Sequence, residues 1–323
     1  MTTRGVLRYT GCGATEQSPP NGGGKIATFG LGRRNEGPPL RDGLGPSTLL
    51  ADVPADLALL RRIDAYLDAA PRTGARAETI GSFVLFINEG HGWRYYARPT
   101  PGAGGLTPEE IGQVRRRQRS LSQPERFEWI HEMAPEMRGS ALAEGLMVTD
   151  HPLMALNGGT ADVLPAPDGV HVTIVDADDD LAMLGGVAEL AFADPGTAVG
   201  SANAVDAAAA ATRQSAETLA FQRGRMLAGL TVAVAARVGG VAAAVGWHQP
   251  LGGVSEIVGV STLPAYRRRG LGSAVTAALV ADALSRGIGT VFLSADGDDV
   301  ARVYGRVGFV RVGTACSASA PSA

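Results

Sequence analysis

The chain has 323 residues, a net charge of −3 and a pI near 6.0. That is length enough for two domains of ordinary size, without the basic excess that a nucleic-acid partner calls for. Two cysteines near opposite ends, Cys12 and Cys316, exclude a disulfide framework, and no His/Cys group has metal-ligand spacing, so no metal is expected.

Residues 1–46 are rich in glycine and proline and have no apolar period, and so read as a disordered tail. No continuous apolar stretch opens the chain, so no secretory signal is read. Order begins near Leu49. Leu57, Leu60, Ile63, Tyr66 and Leu67 recur at helical spacing, and Pro71 closes that helix. Strands are expected at Ser82–Ile87 and Trp93–Arg98. A Pro/Gly loop (Pro99–Gly105) then leads to a polar helix starting at Thr107, with Glu109 and Glu110 at its positive end. A strand at Phe127–Ile130, a helix over Pro135–Ala143 and a strand from Leu146 complete a first domain, 47–157. Turn-forming residues mark 158–169 as a linker.

The second domain, 170–316, opens with a strand at Val170–Val175 and helices over Asp179–Phe192 and Ala207–Leu227. A three-strand meander follows: Leu230–Arg237, Val241–Trp247 and Val254–Thr262. Within Leu230–Trp247, the nearest thing to a membrane span, Arg237 and the Gly239-Gly240 pair read as the turn between two strands. A soluble, cytoplasmic protein without membrane attachment is expected. A helix (Ser273–Arg286), a strand (Thr290–Ser294), a short helix (Asp299–Arg306) and a strand from Phe309 close the domain, and 317–323 reads as a second loose tail. The order is α+β rather than a strict βαβ repeat.

The stretch Glu256–Gly287 is the most informative. A strand runs into Arg267-Arg268-Arg269-Gly270-Leu271-Gly272, after which Ser273 is expected to cap an amphipathic helix that buries Val275, Leu279, Ala283 and Leu284. A glycine-rich turn feeding a helix presents unpaired N–H groups and the positive end of the helix dipole, and the arginines add charge, so a diphosphate is the expected ligand. The spacing fits neither a Walker loop nor a dinucleotide fingerprint.

This stretch resembles the signature of the GNAT acyltransferase family, Arg/Gln-x-x-Gly-x-Gly/Ala, which Arg267, Gly270 and Gly272 match. The family's second landmark, a tyrosine four residues before Gly-Phe, is matched by Tyr304 and Gly308-Phe309. The resemblance covers about residues 170–315. It implies the GNAT fold, with a mixed central sheet flanked by helices, and transfer of an acyl group from acetyl-CoA to a small-molecule or peptide amine. By the same resemblance Val258, Gly259 and Val260 pair with the pantetheine arm, and Arg267, Arg268, Arg269, Gly270, Leu271, Gly272 and Ser273 hold the pyrophosphate. Tyr304 sits near the thioester sulfur as general acid, and Glu256 takes the amine's proton. His248 is a rival base. Tyr304 as a core residue and Glu256 as a solvent-facing one are the structural alternatives. Many relatives carry an asparagine several residues before the tyrosine, where this chain has Gly297-Asp298.

The first domain repeats the pattern loosely. Trp129 stands sixteen residues before Gly145, as Phe292 stands sixteen before Gly308. Its loop has glycines but no arginine, and Ala141 occupies the tyrosine position, so a tandem arrangement with a degenerate, silent first domain is expected. A different class of reading, an acyl-CoA-binding or regulatory module without turnover, is disfavoured by the presence of Tyr304, which a binder does not need. Asp176–Asp180 and Gln249–Gly253 offer polar groups for a substrate but no code for one.

Overall fold

The computed structural model describes residues 56–88, 96–159 and 166–321. The tail read at 1–46, the start of the strand read at 93–98 and the middle of the linker read at 158–169 lie outside them.

The first half contains α1 (Leu57–Ala69), β1 (Arg76–Ile80), β2 (Phe83–Ile87), β3 (Ala97–Pro99), α2 (Pro108–Ser120), β4 (Arg126–Ile130), α3 (Glu136–Ala143) and β5 (Met147–Leu156). The Asp56 carboxylate caps α1 by accepting from the N–H groups of Ala58 and Leu59, and the helix buries Leu60, Ile63 and Tyr66 before the chain turns at Pro71. The second half contains β6 (Val170–Val175), α4 (Leu181–Ala193), α5 (Ala204–Ala211), α6 (Ala216–Leu227), β7 (Val232–Val238), β8 (Val241–Leu251), β9 (Val254–Thr262), α7 (Leu271–Ser285), β10 (Thr290–Ser294), α8 (Asp298–Gly305) and β11 (Phe309–Ser319). The order is α+β, as expected.

Four readings need correction. β1 was missed, because RAETI is polar and sits at the sheet edge, where alternation is weak. The single helix read over Ala207–Leu227 is two, α5 and α6. The alanine run masks the break, which is made where Ser215 accepts from the Thr218 N–H at 3.1 Å and so starts a new helix. Ser273 does not cap α7. Gly270 does, in the left-handed conformation (φ 80°), which places Ser273 inside the first turn. Residues 317–319, read as loose tail, are the end of β11, where Ser317 pairs with both Glu128 and Thr149.

All eleven strands form one mixed sheet, in the order β1-β2-β3-β4-β11-β5-β10-β9-β8-β7-β6. The order is nearly symmetric about its centre. β3–β4 and β9–β10 are parallel pairs, while β2–β3, β8–β9, β4–β11 and β10–β5 are antiparallel. Gly145 and Gly308 both take positive φ before β5 and β11, but Trp129 on β4 faces α2 and α3 whereas Phe292 on β10 faces α1, so these two aromatics do not correspond. At the centre the halves exchange strands: β11 lies between β4 and β5, and β5 lies between β10 and β11. The strand order thus repeats about the centre of one sheet, and the division read at 158–169 does not separate two sheets.

One face of the sheet carries α2 and α3 over the first half and α7 and α8 over the second. The other carries α4 over the second half and α1 across the middle. α7 seats closely because Gly246 on β8 has no side chain. A Cβ there would come within 2.9 Å of Val275 and 3.1 Å of Leu279.

Candidate functional site

The site is built where β9 and β10 part. The two strands pair from Val254–Thr290 to Glu256–Phe292 and no further, although β9 runs on to Thr262 and β10 leans onto β5 through Leu293 and Ser294. The gap opens toward the C-terminal end of β9, where the chain turns into α7. On its other edge β9 has a bulge: Trp247 pairs with Val258, but Val245 pairs with Ser261, so Gly259 and Val260 together face the single residue Gly246. Gly259 takes φ 66°, which favours glycine at such a bulge. The bulge takes the peptide groups of Gly259–Val260 out of the regular ladder with β8, on a stretch of β9 that β10 no longer pairs. The sequence placed the three pantetheine candidates here but did not foresee the bulge; its only signal was a glycine inside an apolar strand.

Beyond Thr262 the chain passes through left-handed backbone at Arg268 (φ 64°) and again at Gly270. Helices α1, α2, α4, α5 and α6 each satisfy their first N–H groups with their own capping side chain. α7 has no capping side chain and no acidic residue in its first turn. The N–H groups of Leu271, Gly272 and Ser273 thus lie at the positive end of a fifteen-residue dipole, with Arg268, Arg269 and Gly270 exposed beside them. Arg269 also stacks over Tyr266, its guanidinium carbon 5.4 Å from the ring centre.

Arg267 departs from the expectation that every arginine of the turn adds charge for an anion. It is 8% exposed, and its guanidinium donates inward to the carbonyls of Thr262 (3.3 Å), Ala198 (3.0 Å), Ala191 (3.1 Å) and Asp194. It ties the end of β9 to the end of α4, so only its backbone remains available to a ligand at the turn.

Tyr304, on α8, is buried in the same apolar cluster as Leu271 and packs edge-on against Phe309, ring centres 6.3 Å apart. Burial, and then the Asp296 charge, raise its pKa above the ordinary phenol value. Asp298, where many relatives have asparagine nearby, opens α8 and is exposed.

Glu256 stands at the last paired rung before the gap, half-buried, on the face covered by α1. Burial and the charge of Glu128 push its carboxyl up to about 8, against a lowering by Arg98. Burial likewise raises Glu128, on β4, to about 7. His248 points to the opposite face. Fully buried, it bridges Ser255 Oγ (Nδ1, 2.8 Å) and Asp282 (Nε2, 2.8 Å), and Asp282 is also held by Arg286 at 2.5 Å. Burial lowers the His248 pKa against the raising effect of Asp282. A residue enclosed this way fastens α7 to the sheet, and the geometry removes His248 as rival base.

Sequence reasoning also missed the residues that α1 and β3 bring to Glu256. The Tyr66 hydroxyl donates to the Gln249 carbonyl at 2.6 Å, and Arg98 forms a buried ion pair with Asp64. These residues are far apart in sequence, and no local pattern joins them. Asp176–Asp180 make a turn in which the Asp179 carboxylate accepts from the Asp176 N–H and Asp180 caps α4.

In the first half the matching helix terminus is closed. Thr107 caps α2, and the Glu110 carboxylate accepts from the N–H groups of Ser82 (3.0 Å) and Thr107 (3.3 Å). Burial opposes its charge, but these hydrogen bonds prevail and hold the carboxyl below its usual range. Among the described residues β2–β3 pairing shows no bulge.

Residues 208–309 match the model of the acetyltransferase (GNAT) family. Among solved structures the chain resembles a GCN5-related N-acetyltransferase from Kribbella flavida (22% identity, 82% of this chain and 96% of that one, TM-score 0.61). It also resembles a GCN5-related N-acetyltransferase from Sphaerobacter thermophilus (17% identity, 81% and 90%, TM-score 0.51). Both likenesses are of fold. No curated protein matches the chain. Among the described residues there is no metal-ligand cluster, and no helix is long and apolar enough to cross a membrane.

Proposed function

We propose that this chain, whose residues 208–309 match the model of the acetyltransferase (GNAT) family, transfers an acetyl group from acetyl-CoA to an amine at the gap between β9 and β10. The observation that carries this reading is the coincidence, at one end of the sheet, of an uncapped helix, a bulged strand edge and a buried tyrosine. The first turn of α7, with Arg268 and Arg269, suits the pyrophosphate. The edge Val258–Gly259–Val260 suits the amide-bearing pantetheine arm, and an N–H at the bulge suits the oxyanion of the tetrahedral intermediate. Tyr304 gives its proton to the departing thiolate, and Glu256 takes the proton of the amine. The test is release of free thiol from acetyl-CoA across a panel of amines. No amine-dependent release by the folded chain would leave a binding module as the reading.

Glu256 gives the reading a pH signature. With its carboxyl near 8, the wild-type kcat/KM should climb through about pH 8 as the base loses its proton. Glu256→Gln should lack that step and recover only at higher pH, where more amine is already neutral. Stability carries the opposite sign. The native carboxyl holds its proton above the unfolded value, so the native state loses stability between about pH 4.3 and 8. Melting curves should therefore show Glu256→Gln equal to wild type near pH 4 and increasingly more stable toward pH 8. A constant difference would contradict the environment assigned to this residue.

The first half supplies no second cofactor site, because Thr107 and Glu110 occupy the terminus of α2 and Ala141 stands in place of the tyrosine. Calorimetric titration with CoA should give one site per chain. Two equivalent sites would show that the self-capped helix binds after all.

A further inference from the structure

The face of the sheet under α1 brings together groups from both halves that the cofactor does not use. α1 reaches β3 through Asp64–Arg98, β8 through Tyr66–Gln249 and β10 through Arg62, which donates to Thr290 at 3.0 Å. It packs on β4, β5 and β9 through Ile130, Leu153, Ala155 and Val254. Alternation puts Glu128 on this face, since its neighbours Phe127 and Trp129 belong to the core under α2 and α3. Glu256 shares the face with Val254.

Among the described residues neither Glu128 nor Glu256 has an ion-pair or side-chain hydrogen-bond partner. Arg126, two residues away on β4, lowers Glu128 without making an ion pair with it, and Arg98, the guanidinium that lowers both carboxyls, is 1% exposed and already neutralised by Asp64. Neither carboxylate thus has a cation in contact in this partly desolvated place, which favours one that can donate to both. A second, independent observation concerns donors. Gln249, 7% exposed and directly across the ladder from Glu256, has a buried Nε2 with no acceptor, and so does Arg98 at Nε. Buried donors without partners mark a place for an acceptor oxygen.

We propose that Glu128 and Glu256 form one site, shared between the halves, for a primary ammonium group, and that Gln249 binds an oxygen carried close to that nitrogen, as in an amino-acid amide. That this cation is the acetyl acceptor rests on the acyl-transfer reading above. Glu128 then holds the ammonium while Glu256 takes one of its protons. The nitrogen lone pair forms the C–N bond at the thioester carbonyl, the C–S bond breaks as the nitrogen gives up its second proton to solvent, and the thiolate takes the Tyr304 proton, which solvent replaces. The proton on Glu256 leaves to solvent with the product. The first half is thereby a substrate-binding element, and its loss of catalytic groups is compatible with its retention.

The test titrates the full-length chain by calorimetry with glycinamide, ethylamine and acetamide, which carry the cation and oxygen, the cation alone and the oxygen alone. Glycinamide is expected to bind most tightly. Glu128→Gln should weaken glycinamide and ethylamine at least tenfold and leave CoA affinity unchanged, and Gln249→Leu should abolish only the advantage of glycinamide over ethylamine. Equal glycinamide affinity in wild type and a folded Glu128→Gln chain would overturn the proposal, as would acetamide binding as well as glycinamide or no binding of any amine. If glycinamide binding depends on Glu128 but no thiol is released from acetyl-CoA, the ammonium site stands and the acyl-transfer reading falls.

Discussion

Replacing Tyr304 by phenylalanine is expected to lower kcat for amine acetylation by on the order of 10²-fold, the scale of a positioned acid. Affinity for acetyl-CoA and melting temperature should stay close to wild type. The ring packs edge-on against Phe309 in the apolar cluster that includes Leu271, and phenylalanine preserves those contacts. What is lost is the proton for the thiolate. Because burial and Asp296 raise the phenol's pKa, the donor stays protonated across the working range of pH. The wild-type profile should therefore show no fall below about pH 10, the ordinary phenol value. Steady-state kinetics with CoA titrated separately decide the matter. A phenylalanine variant with full kcat would remove Tyr304 from the chemistry and leave it a core residue.

The second large effect is expected at the turn. Gly270→Asp should weaken acetyl-CoA by at least tenfold, about 1.4 kcal/mol. An aspartate at the cap fills the helix terminus with a carboxylate of the chain's own, as Glu110 does at α2, and repels the diphosphate. Strain has to be separated from charge, because φ is 80° and a Cβ meets Pro167 at 3.3 Å. Gly270→Ala carries the strain without the charge and should lose less affinity than Gly270→Asp. Equal losses would mean that backbone shape alone is at work. Unchanged affinity in a folded aspartate variant would sink the assignment of the turn.

Much of this was legible in the sequence because it is local. The meander β7–β9, the turn into α7 and the Gly145 and Gly308 landmarks depend on residues close together in the chain. The exchange of β5 and β11 is not local. Each strand reads the same whether it pairs within its own half or across, so the sequence implied two sheets where there is one. The break between α5 and α6 was hidden by alanines, which favour helix on both sides of it. At the site, the turn and Tyr304 were found by spacing, but the inward direction of Arg267 depends on carbonyls of α4 and the following loop, some seventy residues away. Glu128 had no signal at all. A glutamate in a short strand reads as solvent-facing until α1 is known to lie across both halves.

The crossed strands also bear on how the molecule comes into being. Among the described strands β11 is made after all the others of this sheet, yet it supplies the rung between β4 and β5, both finished long before. A nascent chain leaving the ribosome amino end first therefore carries a first half with its central seam open and β4 presenting an unpaired edge. That edge closes only when the carboxyl end emerges. Such long-range closure slows folding and leaves the incomplete chain exposed to pairing with its neighbours in the interval.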